Sequence, residues 1–375
     1  MSYQSCAAPW RGLHINPRGD VKTCCAGDPN MLGNLDAQSI EQILHGPVLQ
    51  EIRQTLRSGK LHEKYCHNCI QAERYGRSER NWHNEVSPEF DCTTAADTEH
   101  VPVLIDVRWN TTCNLSCNYC GDKCSSKWAA LKHIPFKSGA RPYYEQVCDY
   151  LEQHRSHIRE VALVGGEPLL LPENSRLLDV LPENCVVTLI TNVSVELATN
   201  KIFAKLADRK QVGWSLSFDN IGNKFEYVRH GGTWNLLEKN LDLLKPLMDT
   251  HGHWGGIHAV YNLYNATCLV ELTKFARARG LTIHWQSLYQ PECLDPARLG
   301  DGIADLARQE IKQLLSLGIC LASEQDFFQT VLINLSSIQD LRAELKQHIN
   351  EIESVYHHDQ QGQFAKLWPE ISKLL

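Results

Sequence analysis

Cys113, Cys117 and Cys120 constrain this 375-residue chain more than any other feature in it. They stand in a C-x3-C-x2-C spacing, directly after the apolar run Val101–Val107. Three thiolates on one short loop can ligate three irons of a cubane 4Fe–4S cluster, whereas such clusters ordinarily take four cysteines. A fourth iron is then left open to a small chelating molecule. The competing readings are a zinc knuckle and chance clustering in a chain with 15 cysteines.

Whether those cysteines mean metal or disulfides depends on the compartment. Met1–Cys6 lacks the basic and apolar regions of a secretory signal. No stretch approaches the ~20 apolar residues of a membrane helix. The expectation is a reducing cytoplasm, with cysteines as metal ligands and no membrane contact. A net charge of −7 gives no general case for nucleic-acid binding. The length allows one large domain with extensions, or two domains.

Ahead of the cysteine loop, Leu13 and Ile15 alternate with polar neighbours, Asn16–Gly19 carries turn signals, and Val21–Thr23 returns as a second strand. Such a hairpin brings Cys6 near Cys24. Asp36 suits the N-cap of a helix carrying Ile40, Ile43 and Leu44, and a second helix carries Val48, Leu49, Ile52 and Leu56 on one face. Cys66-x2-Cys69 follows, a pair suited to chelation. Seven Lys and Arg against three Glu between Arg53 and Arg80 read as a solvated helix face, with an anion- or peptide-facing surface as the alternative. Residues 81–100 are polar and read as a linker, with Cys92 as a free surface thiol.

From Val101 onward, apolar runs end in polar residues and are separated by helical patterns. The predicted strands are 101–107, 160–165, 185–191, 211–218, 255–261 and 281–286. A parallel barrel produces this pattern, and its ligand groups collect at the C-terminal strand ends. The second strand ends in Gly165–Gly166–Glu167. Glycines let backbone approach a ligand closely, and Glu167 with a backbone carbonyl can accept hydrogen bonds from an ammonium group. Later strands end in Thr191–Asn192 and in Ser215, Ser217 and Asp219. Cys148, Cys185, Cys268 and Cys320 fall on predicted elements and read as small buried hydrophobes. Cys293 follows the sixth strand and is a candidate acid/base, hydrogen-atom donor or ligand, against the plain reading of a loop cysteine. Cys124 breaks the three-cysteine spacing and is left out of the ligand set. Residues 303–315, 327–335, 338–352 and 364–375 read as helices.

The cysteine loop, followed 45 residues after Cys120 by Gly165–Gly166–Glu167, resembles the radical S-adenosylmethionine (radical SAM) superfamily. The resemblance implies that the open iron is chelated by the amino and carboxylate groups of the methionine portion of SAM, and that the Gly-Gly-Glu strand end holds that amino group. It implies that Asn192, Ser217 and Asp219 lie around the SAM ribose, its carboxylate or the substrate, and that Tyr119 shields the cluster or packs on adenine. Arg229–Gly232 resembles a substrate-contacting loop of SPASM-type relatives.

Cys6, Gly19 and Cys24, in a C-x12-G-x4-C spacing, resemble the opening of SPASM and twitch extensions, which hold auxiliary 4Fe–4S clusters. Here the module precedes the barrel, as in the N-terminal-twitch subgroup. Tyr75 stands where a further cysteine would continue a full SPASM pattern. The resemblance therefore implies one auxiliary 4Fe–4S cluster on Cys6, Cys24, Cys66 and Cys69, with Cys25 as rival to Cys24 and zinc as rival occupant.

The expected fold is α/β: a partial (β/α)6 radical SAM barrel over residues 101–295, an N-terminal twitch-like domain over 1–80, a linker over 81–100 and C-terminal helices over 296–375. The family implies reductive cleavage of SAM to methionine and a 5′-deoxyadenosyl radical, which abstracts a hydrogen atom from a peptide or small-molecule substrate. The implied reductant is a protein such as flavodoxin or ferredoxin. Two other classes remain open at this point: an iron–sulfur electron-transfer protein, and a zinc-binding interaction module without SAM chemistry.

Overall fold

The computed structural model describes residues 6–28, 30–73, 78–136, 142–288, 290–335, 339–356 and 362–375. Among these described residues nine strands form one sheet: β1 Gly12–Ile15, β2 Asp20–Lys22, β3 Gly33–Asn34, β4 Leu104–Val107, β5 Glu160–Leu163, β6 Val186–Thr191, β7 Val212–Ser217, β8 Trp254–Tyr261 and β9 Thr282–Ser287. Their order in space is β3-β2-β1-β4-β5-β6-β7-β8-β9. Strands β4 to β9 pair in parallel, each with the next. This is the open (β/α)6 arrangement that the six apolar runs predicted.

One finding goes beyond that expectation. The N-terminal hairpin is part of the same sheet, because β1 pairs in parallel with β4 through Leu13↔Ile105 and Ile15↔Val107. The hairpin that precedes Cys24 and the strand that precedes the Cys113–Cys120 loop thus belong to one sheet.

Register fixes the two faces of the sheet. Leu13, Ile105, Val161, Val187 and Val212 form one cross-strand row, and Ile15, Val107, Leu163, Leu189 and Trp214 the next. Both rows are buried in the main core with helix residues such as Val147, Leu177, Leu206, Leu241 and Leu272. The opposite face is polar: Ser217, His258 and His284 are direct cross-strand partners. At the β9 edge, Glu324 from the helix Ala322–Asn334 accepts the Ile283 N–H at 3.0 Å and pairs with Arg277, which covers an edge that would otherwise invite another strand.

Five local expectations are revised. The first N-terminal helix, Ile40–Leu44, is capped by Ser39 and not Asp36, because Ser39 and Gln42 form a reciprocal capping box. The basic stretch is no solvated face at Arg53, which is fully buried and donates to the Pro9 carbonyl at 3.0 and 2.8 Å with Trp10 beneath its guanidinium. Residues 79–86 form a helix, Glu79–Val86, and Cys92 is buried against the N-terminal helices with its carbonyl held by Arg57 at 3.1 Å. The last helix is two, Gln363–Leu367 and Pro369–Ser372, since proline cannot continue a helix. Tyr75 lies outside the described residues. Among the described residues no helix is long and apolar enough to cross a membrane.

Candidate metal centre

The cysteine loop leaves the C-terminal end of β4 and is held by backbone contacts on every side. The Ser126 hydroxyl accepts the Cys113 N–H at 3.0 Å, and Ser125 Oγ donates to the Leu115 carbonyl at 2.6 Å. Trp128 Nε1 donates to the Cys117 carbonyl at 2.9 Å. The loop at Arg229–Gly232, expected as a substrate contact, acts here as a brace: the Val228 and His230 carbonyls accept the Asn118 and Ser116 amides at 2.8 and 2.9 Å. Gly231, at φ 99°, lets that brace come close, since a Cβ there would stand 3.0 Å from the Asn114 carbonyl. From the C-terminal helices, Tyr356 donates to the Ser116 carbonyl and stacks on His230 with ring centroids 3.6 Å apart. Nothing in the local sequence signals that contact.

The sulfurs of this loop are surrounded by donors. Cys113 Sγ receives the Leu115 N–H at 3.5 Å and Asn192 Nδ2 at 3.7 Å, and Cys117 Sγ receives Arg229 Nη1 at 3.8 Å. By contrast Cys185, a core thiol, donates to the Val186 carbonyl at 3.3 Å. N–H groups aimed at sulfur suit a thiolate ligand and so fit a cluster. Without metal, burial pushes the Cys113 thiol up to about 12. Cys120 shares a hydrogen bond with Cys124 that raises the first and lowers the second, so Cys124 lies beside the triad even though spacing left it out.

Gly165–Gly166–Glu167 packs directly on this loop. A Cβ on Gly166 would stand 2.2 Å from the Thr112 carbonyl oxygen and 2.6 Å from the Thr111 carbonyl carbon. Gly165 has φ 132°, and its Cβ would meet the Asn110 carbonyl at 3.0 Å. The glycines therefore admit the backbone of the cysteine loop at close approach. Glu167 is fully buried and accepts from Asn192 N at 2.7 Å, Thr191 Oγ1 at 2.9 Å and Leu169 N at 3.1 Å. It ties the ends of β5 and β6 together, and Asn192 so placed reaches both Cys113 and Asn114.

Burial pushes Glu167 up to about 7 from its ordinary 4.5, against those three donors. Its folded value exceeds the unfolded one, so its contribution to stability is complete below about 4.5 and is lost as pH rises through about 7. The size is about 3 kcal/mol. The expected result is that wild type loses about that much stability relative to Glu167→Gln between pH 4.5 and 7.5, in denaturant unfolding at equal iron content. Parallel pH profiles would refute the assignment.

Asp219 is also buried, and holds Tyr119, Arg229 and β8 at once. Its Oδ2 accepts the Tyr119 hydroxyl and Arg229 Nε and Nη2 at 3.1 and 3.0 Å, while Oδ1 accepts Val260 N at 2.7 Å. Ser217 ends β7, half-buried on the polar sheet face, opposite His258. Cys293 is 8% exposed and packs in an apolar cluster with Tyr264, Leu294 and Trp368, between the sheet edge and the C-terminal helices. It makes an apolar packing contact there.

The N-terminal cysteines form a second cluster of thiols. Burial first, then the neighbouring Cys66 and Cys69, pushes Cys6 up to about 12, while the Ala8 backbone and Arg80 oppose it. Cys24 is raised by burial and then by Cys6, Cys25 and Cys66. Cys6 thus lies near Cys24, Cys66 and Cys69, and Cys25 lies beside Cys24. Arg80, missed in the sequence, pairs with Glu73 at 2.6 Å beside them. Cys69 Sγ lies 3.5 Å from the same carboxylate. Among the described residues no three His, Cys, Asp or Glu side chains are grouped so as to hold a single metal ion.

Residues 6–70 match the SPASM family, an iron–sulfur cluster-binding domain. No curated protein matches the chain. Among solved structures it is similar to Streptococcus suis SuiB bound to S-adenosylmethionine, at 17% identity and TM-score 0.42, over 58% of this chain and 48% of that one. It is similar to native anSMEcpe with bound AdoMet, at 18% identity and TM-score 0.41, over 65% of each chain. A third is Streptococcus suis SuiB bound to precursor peptide SuiA, at 15% identity and TM-score 0.41, over 72% of this chain and 62% of that one. The chain spans less than two thirds of the length of each of these three.

Proposed function

We propose that the chain is a radical SAM enzyme with an auxiliary iron–sulfur cluster. The observation that carries this reading is the meeting, at the C-terminal ends of β4, β5 and β6, of a donor-lined three-cysteine loop, the Gly165–Glu167 strand end and Asn192. Cys113, Cys117 and Cys120 hold a 4Fe–4S cluster with one open iron. When bound and reduced, that cluster supplies the electron that splits SAM into methionine and a 5′-deoxyadenosyl radical.

The rest falls to the protein. Asn192 and Arg229 donate to ligand sulfurs, and Trp128 and Tyr356 cover the loop from behind. Glu167, buried and costly to ionise, gains from an ammonium group placed near it, and the strand-end carbonyls share that role. The half-buried Ser215, Ser217 and His258 give the open sheet face a polar lining for substrate. The substrate class is a peptide or a small molecule carrying an unreactive C–H bond, with a flavodoxin- or ferredoxin-like protein as electron donor. The match of residues 6–70 to an iron–sulfur cluster-binding domain supports the auxiliary site, with Cys6, Cys24, Cys66 and Cys69 as its ligands. Four thiolates close its coordination, so it serves electron transfer or support and does not bind SAM.

A Cys66→Ala/Cys69→Ala variant tests the division of labour. After anaerobic reconstitution it is expected to hold about half the iron of wild type, four irons of about eight, and still to form 5′-deoxyadenosine from SAM and reductant. Full iron content would remove these residues from the ligand set. Zinc in place of iron in the wild type would overturn the whole reading.

A further inference from the structure

We propose that Arg229 is a positioning residue that sets the redox poise of the Cys113–Cys120 centre. Its buried cation, fixed against the Cys117 sulfur, favours the reduced and more negative state. This rests on the reading that these three cysteines hold an iron–sulfur cluster.

The geometry makes Arg229 and Asp219 a fixed dipole. Asp219 takes the Nε and Nη2 edge of the guanidinium, leaving Nη1 to face Cys117 Sγ at 3.8 Å. The positive end is therefore at the sulfur and the negative end away from it. The carboxylate is itself pinned by Val260 N at 2.7 Å and by the Tyr119 hydroxyl, and the guanidinium carbon lies 5.6 Å from the Tyr119 ring centre. The two side chains are 8% and 0% exposed, so water and salt screen this dipole little. An electron added to a neighbouring cluster adds one negative charge, which the cation end stabilises. A hydrogen bond to a ligand sulfur acts in the same direction. Tyr119 and Asp219, expected around SAM, are thereby placed behind Arg229 as its support.

The test is an EPR-monitored reductive titration of full-length, anaerobically reconstituted protein in the Cys66→Ala/Cys69→Ala background, where one cluster reports. Arg229→Gln is expected to lower the reduced-to-oxidised ratio at a given potential about tenfold, a shift of about 59 mV to the negative for a one-electron couple. Arg229→Lys restores most of it. Asp219→Asn removes the negative end and is expected to shift the potential the opposite way. A merely structural role would reduce cluster content without opposite shifts. If Arg229→Gln fails to hold a cluster, Asp219→Asn decides: a positive shift supports the proposal, while no shift or a negative one overturns it. An unchanged potential in Arg229→Gln with cluster intact overturns it as well. A background protein that binds no cluster at this loop would overturn the functional reading first, which is a separate outcome.

Discussion

If the proposed function holds, replacing Cys113, Cys117 and Cys120 together by alanine is expected to abolish SAM cleavage and to leave the auxiliary cluster in place. Iron is expected to fall from about eight to about four per chain, and 5′-deoxyadenosine to drop to background. The reason is the separation of the two donor sets: the triad stands on the loop after β4, whereas Cys6, Cys24, Cys66 and Cys69 lie on the preceding segment. The loop itself is held by contacts that do not use its thiols, at Ser125, Ser126, Trp128, Val228 and His230. The variant therefore keeps its fold, and the loss is one of chemistry. Retained 5′-deoxyadenosine production in the triple variant would refute the assignment of the open iron to this loop.

Gly166→Ala has the second largest expected effect. An added Cβ would meet two backbone carbonyls of the cysteine loop, Thr112 O at 2.2 Å and Thr111 C at 2.6 Å. Backbone cannot rotate away as a side chain can, so the loop or the β5 end must shift. Overpacking typically costs about 1–3 kcal/mol and this contact belongs at the upper end. A displacement of about 1 Å at a reacting site can cost about a hundredfold in rate. The expected result is a fall of about a hundredfold in 5′-deoxyadenosine formed per iron. Gly121→Ala, one residue past Cys120 and with nothing within 4 Å of its added Cβ, is the silent control. Equal activity in both variants would mean that close approach at Gly166 is immaterial.

The six parallel strands were legible because apolar runs with polar ends, spaced by helical patterns, are what a parallel sheet buried on one face and liganded at its C-terminal ends requires. The N-terminal hairpin was legible because its turn residues are specific. Its pairing with β4 was not legible, since parallel strands separated by a long connection leave no register signal in either one. Arg53 misled for a related reason: a buried cation is tolerated only with partners, and its acceptor is the carbonyl of Pro9, which carries no residue-type signature. Within the site, cysteine spacing and Gly-Gly-Glu marked residues that the structure brings together at the ends of β4 and β5, where Gly166 also admits the backbone of the cysteine loop. The brace at Val228–Gly231 works through main-chain carbonyls, and Tyr356 reaches Ser116 from 240 residues away. Neither could be read from local pattern. Nor could the packing of Cys293 among Tyr264, Leu294 and Trp368 be read from its place in the loop after the sixth strand.

The central claim is that three cysteines leave one iron open and that SAM occupies it. Electron–nuclear double resonance on the reduced protein, with SAM labelled by 15N at its amino group and by 17O at its carboxylate, reads this directly. The account predicts hyperfine coupling of both labels to the cluster in wild type and in Cys66→Ala/Cys69→Ala. A reduced cluster at Cys113, Cys117 and Cys120 that shows no coupling to either label under saturating SAM would contradict it.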